Sequence, residues 1–403
     1  MTVEPVPLRR NRDFNLLWGG QALSDLGTRI SGIAVPLLVL AVTGSPARAG
    51  IAEFAASIPV LLLTLPAGAL VDRWDRKRLM IVCDTMRCLA YASLVVALAL
   101  DHVWFVHVLA VVLVDGCGWV FVTVAERSAL RHVVTDEQLP AALARNQARE
   151  YASLLAGTPL GGLLYSLGRV VPFLFDAVSY GVSVVSLVAV RARLQGERTA
   201  TPQRLLHDVR EGLAWFWRQP FIRTTSLLVM GSDFVLNALW LAVIVIARER
   251  GASPGLIGAM FVFLGIGGML GAAVAPRLSQ RLSTRVVVVA TMSLEAALLP
   301  LLFLPGSVTP GIVYGAMFLL HPTWNAVVMA YRIRVTPDEL LGRVQSVGTL
   351  LSLGAVPFAF LAVGFALEGF GTTPTVLALL GLMVVVAVAA AASRAVRAAS
   401  AAT

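Results

Sequence analysis

Charge is what this 403-residue sequence is short of. Only 14% of its residues are Asp, Glu, Lys or Arg, against about 25% in soluble domains. A soluble protein of this length needs far more polar surface, so a water-exposed globule is excluded. Lysine is almost missing: Lys77 is the single one among 32 basic residues. Cysteine is scarce too. Cys83, Cys88 and Cys117 all lie in apolar stretches, with no CxxC pair and no histidine at ligand spacing, so they read as small apolar packing residues and no metal site is expected. Of the five histidines only His321 lies deep in an apolar block, where a proton carrier or ligand and a hydrogen-bonded structural group both remain open. No Gly-x-x-x-x-Gly-Lys occurs, so energy is expected from a gradient or from the substrate's own concentration rather than a bound nucleotide. No cofactor is expected, and no clustered nucleophile, base and acid suggests an enzyme.

What the sequence has is hydrophobicity, 58% of residues, arranged in blocks of about 20, the length that crosses a bilayer core as a helix. The blocks fall near 14–42, 48–71, 79–99, 103–126, 146–167, 170–190, 222–247, 255–276, 286–304, 309–331, 344–368 and 373–393. In lipid each backbone group must be satisfied within its own segment, so all are expected to be helices. The basic-then-apolar N-terminus resembles a signal peptide, but many blocks follow it and it reads as the first helix. Orientation follows from the gaps between blocks. With the N-terminus inside, 26 Arg and Lys fall in cytoplasmic gaps and 4 in outer ones (Arg48, Arg169, Arg248, Arg250), while Arg29 and Arg87 lie within spans. That asymmetry predicts twelve transmembrane helices with both termini in the cytoplasm. It also accounts for the net charge of +9 without nucleic acid. Arginine in place of lysine, with abundant Ala, Val and Gly, suggests a bacterial protein from a GC-rich genome, and the spans place it in the cell (inner) membrane.

An internal repeat divides the chain. Ser24-Asp25 recurs as Ser232-Asp233, and Ser45-Pro46 before Gly50 recurs as Ser253-Pro254 before Gly258, both 208 residues on. Gly68–Val71 recurs loosely at Gly271–Val274, and Val134-Thr135 with Glu137 and Leu139 at Val335-Thr336 with Asp338 and Leu340. The expected organisation is a six-helix half over 1–190, a cytoplasmic linker over 191–221 and a second six-helix half over 222–403. Two such halves related by pseudo-symmetry form a transporter architecture with substrate handled near the midplane. In the linker Leu205, Leu206, Val209, Leu213 and Phe216 lie at helical spacing, with Trp215 and Trp217 suited to an interface. This reads as an amphipathic helix on the inner membrane face.

At Gly68-Ala-Leu-Val-Asp72-Arg73-Trp-Asp75-Arg76-Lys77-Arg78 the chain resembles the signature loop between helices 2 and 3 of the major facilitator superfamily. A charge run after a membrane helix is also a plain topology signal; here Gly68, Asp72, Arg73, Arg76 and Lys77 stand at the motif's spacing. Asp72 could sit against a helix N-terminus of the other half, near Gly342. Further stretches are similar to the drug and siderophore exporter branch, relatives of macrolide efflux proteins and the enterobactin exporter. They are Glu126–Leu130 through Asp136–Leu139 to Asn146, Phe175–Ser179, Glu211–Leu213 with Pro220, and Val335–Val344. The resemblance spans nearly the whole chain, and two departures stand out. The helix 5 motif Gly-Pro-x-x-Gly-Gly appears as Gly157-Thr158-Pro159-Leu160-Gly161-Gly162, with proline moved one place; close packing through small residues survives that shift. The Arg-x-x-Gln-Gly motif of helix 4 is absent, and Val111 to Trp119 offers Asp115 instead. The resemblance thus implies proton coupling without its usual arginine.

Charges within spans are costly and each needs a reason. Gln21, Asp25, Thr28, Arg29 and Gly32 form a polar stripe on helix 1, and Asp233, Asn237 and Trp240 a similar one on helix 7. In the superfamily both helices line the central cavity, and the repeat makes Asp25 and Asp233 symmetry mates. These two carboxylates are the leading candidates for binding a proton or a cationic substrate group. Desolvation favours the protonated acid and a nearby arginine the carboxylate, so opening and closing could switch the two. The competing reading is a static Asp25–Arg29 pair, with Asp233 capping a local break. Asp115 and Trp119 are secondary cavity candidates, with Trp324 and Asn325 on the approximate counterpart face; their rings could stack on a planar or cationic substrate or fill core. Asp84 and Arg87 read as a structural pair; Asp176 and Glu295 lie on helices that are peripheral in the superfamily, and the resemblance implies a structural role for each. The expected activity is export of a small amphipathic molecule (drug, siderophore or secondary metabolite) by proton antiport with alternating access, from a monomer in contact with membrane lipid. A lipid or lysophospholipid flippase and a non-transporting sensor or scaffold are the alternatives.

Overall fold

The computed structural model describes residues 7–195 and 213–399. Among them every regular element is helical: α1 (Arg12–Thr43), α2 (Pro46–Arg73), α3 (Arg76–Ala99), α4 (Phe105–Ala129), α5 (Leu139–Leu167), α6 (Val171–Ala189), α7 (Pro220–Glu249), α8 (Pro254–Met260), α9 (Val262–Arg281), α10 (Thr284–Leu298), α11 (Thr309–Met317), α12 (His321–Val335), α13 (Asp338–Phe370), α14 (Thr372–Ala392) and α15 (Arg394–Ala399). Most of the expected linker helix, including Leu205, Leu206 and Val209, lies outside the described residues; a helical turn at residues 213–218 precedes α7.

Helix starts follow local chemistry. Asn11, Ser45, Asp75 and Ser283 each accept a backbone N–H of the first turn, the side-chain cap that relieves unpaired donors there. Gly44 closes α1 in the left-handed region at φ 68°, a conformation cheap only for glycine. Two expected blocks are broken. The ninth ends in a short 3-10 turn at Leu299–Phe303. The tenth, expected over 309–331, divides into α11 and α12 around Phe318–Leu320, where Pro322 in the first turn of α12 cannot donate to the preceding turn.

Eleven stretches are long and apolar enough to cross a bilayer. The exception is α5, 29 residues long, whose glycines, serines and charges dilute its apolar character. Side chains such as Leu89, Val96, Val106, Val185, Val385 and Val388 are exposed on helix surfaces, as a lipid-facing wall requires and a water-facing one would not tolerate. The chain is a multi-pass integral membrane protein.

Two compact units make up the chain: Met1–Thr201 with Ser253–Ala259, and Pro202–Ala252 with Met260–Thr403. In the first, α1 packs on α6, α5 and α2, while α4 packs on α2 and α3. Close approaches rest on glycine. A Cβ at Gly161 would strike the backbone and side chains of Ile30 and Ile33, and one at Gly116 the Ala56 carbonyl, so small residues set the helix spacing. Phe14, Leu17, Met80, Val122, Leu130 and Leu187 form a core at one end of this unit. In the second unit α7 packs on α13 and α14, and α9 on α11 and α12. Phe216, before α7, is buried with Ile222, Val344 and Val347, and Trp215 packs against them.

Candidate functional site

The densest polar cluster of the first unit centres on Arg87 of α3, whose side chain is 1% exposed. Its Nε donates to Asp115 Oδ1 at 2.8 Å, and Nη1 lies 3.4 Å from Asp84 Oδ1. Its Nη2 donates to Tyr180 OH at 2.6 Å and to Thr28 Oγ1 at 3.0 Å. Tyr180 OH in turn donates to Asp115 Oδ1 at 2.9 Å. Ser183 Oγ donates to Asp84 Oδ2 at 2.7 Å, and Gln21 Nε2 to Ser183 Oγ at 3.0 Å. Four helices meet at one guanidinium. Gly118 on α4 makes room for its stem, since a Cβ there would meet Arg87 Cδ at 2.6 Å. Buried charge persists only when paired and hydrogen-bonded, and here each arginine nitrogen has a partner. The expected local pair of Asp84 and Arg87 is therefore one edge of a larger network, and Asp115 is held inside it. Gln21, expected in a cavity wall, is buried against Ser183.

Asp25 belongs to a second network. Arg149 of α5 makes a bidentate bond to Glu126 of α4, with Nη1–Oε1 at 2.6 Å and Nη2–Oε2 at 2.9 Å. Asn146 Nδ2 adds a donor to Glu126 at 3.3 Å. The Arg149 Nε stands 2.9 Å from Asp25 Oδ2, close enough for an ion pair but without hydrogen-bond alignment. The expected Asp25–Arg29 pair is not formed. Arg29 is exposed, and its stem packs on Gly157 of the helix 5 motif. The physical reason is geometric: Gly157 and Gly161 bring α5 so close to α1 that Arg149 reaches Asp25 first. Arg149, counted in a cytoplasmic gap, is buried within a helix. Pro159 lies inside α5, and Gly162 meets the backbone of α8 at Pro254 and Gly258.

The loop between α2 and α3 is tied down locally. Asp72 and Arg73 are exposed, and Asp72 pairs with Arg76 at 3.2 Å. Arg76 also reaches the carbonyls of Ser128 at 3.5 Å and Leu194 at 3.4 Å. Lys77 Nζ donates to the carbonyls of Val188 at 3.1 Å and Val190 at 2.7 Å, satisfying the C-terminal carbonyls of α6 with a cation. Gly68, half-buried in α2, meets no neighbour at its Cβ position.

In the second unit Asp233 of α7 accepts a hydrogen bond from Ser352 Oγ of α13, and the His321 imidazole lies within Coulombic range of it. Asn237 Nδ2 turns back to the Asp233 carbonyl at 2.8 Å. Ser232, next to Asp233, donates to Glu295 Oε2 at 2.6 Å, while Glu295 Oε1 is buried without a hydrogen-bond partner among the described residues. Arg332, counted as a loop cation, lies in α12 and donates to Ser226 Oγ at 3.2 Å. Trp240 is half-buried against Phe261, ring centroids 4.2 Å apart. Trp119 is half-buried, Asn325 exposed and Trp324 buried in the core.

Several residues of these networks escape a sequence reading. The role of Tyr180 has no local signal, because a tyrosine in an apolar block reads as packing. The pairing of Glu126 with Arg149 was hidden by placing both near a loop. Glu53, half-buried in α2, is a lone acid in an apolar block and was detectable by that alone; its carboxylate has no hydrogen bond or ion pair among the described residues.

A family model described as "Transmembrane secretion effector" matches residues 4–403. The chain is 27% identical over 383 residues to the multidrug efflux pump Tap of Mycobacterium tuberculosis, covering 89% of this chain and 87% of that protein. It is 26% identical over 205 residues to macrolide efflux protein A of Streptococcus pyogenes, half of each chain. Among solved structures, the nucleoside transporter NupG superposes with a TM-score of 0.76 at 13% identity, covering 93% of this chain and 98% of that one. A bacterial homologue of the iron transporter ferroportin gives 0.73 at 15% identity, covering 96% and 98%. At such identities these structures speak for the fold. With the family model matching almost the whole length, the chain belongs to the transmembrane secretion effectors of the major facilitator superfamily.

Proposed function

We propose that this chain exports a small amphipathic molecule (a drug, siderophore or secondary metabolite) across a bacterial inner membrane, by proton antiport with alternating access. The observation that carries the reading is its similarity to a multidrug efflux pump over nearly the full length of both chains. In this reading the chain crosses the membrane twelve times, keeps both termini in the cytoplasm and works as a monomer in contact with lipid.

Asp25 and Asp233 carry the coupling. Asp25 sees Arg149 through an ion pair that lacks hydrogen-bond alignment, and Arg149 keeps its bidentate bond to Glu126 when a proton or a cationic substrate group takes its place at Asp25. Asp233 has a serine hydroxyl and a nearby imidazole, partners that tolerate either protonation state. Arg29, exposed within its span, is the cation available to an anionic substrate group. Trp119 in the first unit, and Trp240, Asn237 and Asn325 in the second, supply rings and amides for an amphipathic cargo; Trp324 is buried in the second unit's core. Gly68, Asp72, Arg73, Arg76 and Lys77 form the cytoplasmic gate; Gly157 and Gly161, with Pro159 between them, form the packing seam on which α1 moves, and Gly162 packs on α8.

The test is drug susceptibility in an efflux-deficient bacterium expressing the wild type, Asp25→Asn or Asp233→Asn. The wild type should protect against at least one amphipathic drug in a panel that includes macrolides, and each variant should lose most of that protection at equal expression. Equal protection by both variants would remove the two carboxylates from the mechanism. No protection by the wild type, with lipid transfer in defined liposomes lacking a pH gradient, would replace drug export with lipid movement.

A further inference from the structure

Asp176 of α6 is fully buried, its carboxyl wedged between α6 and α1. Among the described residues it has no ion pair; its side chain meets two serine hydroxyls, Ser31 on α1 and Ser179 on its own helix, which donate to its Oδ2 and, at 3.2 Å, to its Oδ1. Each hydroxyl has a single proton to give and lies also within reach of a backbone carbonyl, Ser31 Oγ 3.1 Å from that of Gly27 and Ser179 Oγ 2.8 Å from that of Asp176. The carboxyl therefore shares two neutral donors with two carbonyls and has no cation of its own, a poor seat for an ionised group.

Charge counting agrees. Asp84 accepts from the Ser183 hydroxyl and Asp115 from the Tyr180 phenol, and the two share the one guanidinium of Arg87. A third ionised carboxylate beside them would leave the buried cluster at a net charge of minus two, at a cost of several kcal/mol for each unpaired charge. The groups facing Asp176 are Arg87, Cys88 and Tyr91 from α3, Asp115 from α4 and Tyr180 on its own helix. From α1 come the hydroxyls of Ser31 and Thr28, while α5 directs Arg149 to Glu126 and Asp25. Gly27 is what closes the site. Any side chain there would collide with Asp176 Oδ1 and Ser179 Oγ, so glycine lets α1 seal the acid from water.

We propose that Asp176 is an exchangeable proton-binding site, loaded while α1 lies against α6 and unloaded when α1 shifts. On unloading the carboxyl O–H breaks, the proton passes to water admitted along α1, and the carboxylate remains; reloading from water reverses the step. Its part in transport rests on the antiport reading above, but the proton itself can be read directly.

Infrared spectroscopy of the purified full chain in proteoliposomes reads the carbonyl stretch of protonated carboxyl groups. The wild type at neutral pH should show a buried-acid band that shifts down on transfer to deuterated buffer and is lost in Asp176→Asn. Ser31→Ala, which removes a hydrogen-bonding hydroxyl but keeps the acid, should move that band to higher frequency without abolishing it, and this arm decides the matter if the asparagine variant folds poorly. A spectrum identical in the wild type and both variants overturns the proposal. So does a band that disappears in Asp176→Asn but never takes up deuterium, the mark of a static structural acid. Antiport fails on a different measurement: wild-type efflux indifferent to collapse of the proton gradient, a result independent of the Asp176 band.

Discussion

At the scale of single residues, two arginines hold the first unit's polar interior and do so unequally. Arg87 distributes its donors over four helices, whereas Arg149 concentrates on Glu126 and adds Asp25 at the margin. Removing one partner of a buried ion pair costs about 3–5 kcal/mol, because the survivor stays buried and unpaired. Arg149→Gln should therefore cost about 3–5 kcal/mol of stability, read as an early loss of monodisperse protein on heating in detergent. The double variant Arg149→Gln with Glu126→Gln should recover much of the loss, since two neutral amides replace the orphaned carboxylate. The pair of exposed Asp72 with half-buried Arg76 makes the contrast. Asp72→Asn should change stability by less than about 1 kcal/mol, so any loss of export in that variant belongs to gating.

At the scale of helices, packing decides what local pattern cannot. Gly161 of α5 lies on the backbone of α1, whereas Gly32 of α1 has nothing within 4 Å of its Cβ position. Gly161→Ala should destabilise the unit by about 1–3 kcal/mol through overpacking, and Gly32→Ala should be neutral or slightly stabilising, as alanine favours a helix. Thermal stability of the two variants in the same detergent checks the pair. Eleven of the expected span positions were legible in the sequence because hydropathy is local; the caps, Asp75 on α3 and Ser283 on α10, come from the structure. The break between α11 and α12 was signalled only by Pro322. The partner of Asp25 was not legible at all. Arg29 is its neighbour on the same helix face, but Arg149 wins through a glycine-lined contact between helices distant in sequence, and no spacing rule within one helix reports that. The same holds for Asp176, whose seat depends on Gly27 of another helix.

At the scale of the whole molecule, the open question is whether α5 crosses the bilayer, since eleven stretches satisfy length and apolar composition and α5 does not. Its polar character has an internal explanation. Asn146 and Arg149 are spent on Glu126 and Asp25, and Gly157 and Gly161 on α1, so the polar atoms face protein and not lipid, where they are affordable. The charge asymmetry of the gaps points the same way, because only a crossing α5 keeps the later arginine-rich gaps on one side. Cysteine labelling separates the two cases in a background where Cys83, Cys88 and Cys117 are replaced. His102, Glu137 and Arg169 are exposed at the ends of α3, α4 and α5. A membrane-impermeant maleimide added to intact cells should label His102→Cys and Arg169→Cys and spare Glu137→Cys, with the pattern inverted in inside-out vesicles. Protection of Arg169→Cys together with Glu137→Cys would mean that α5 returns to the side it started from, leaving an odd number of spans and placing the two termini on opposite faces of the membrane.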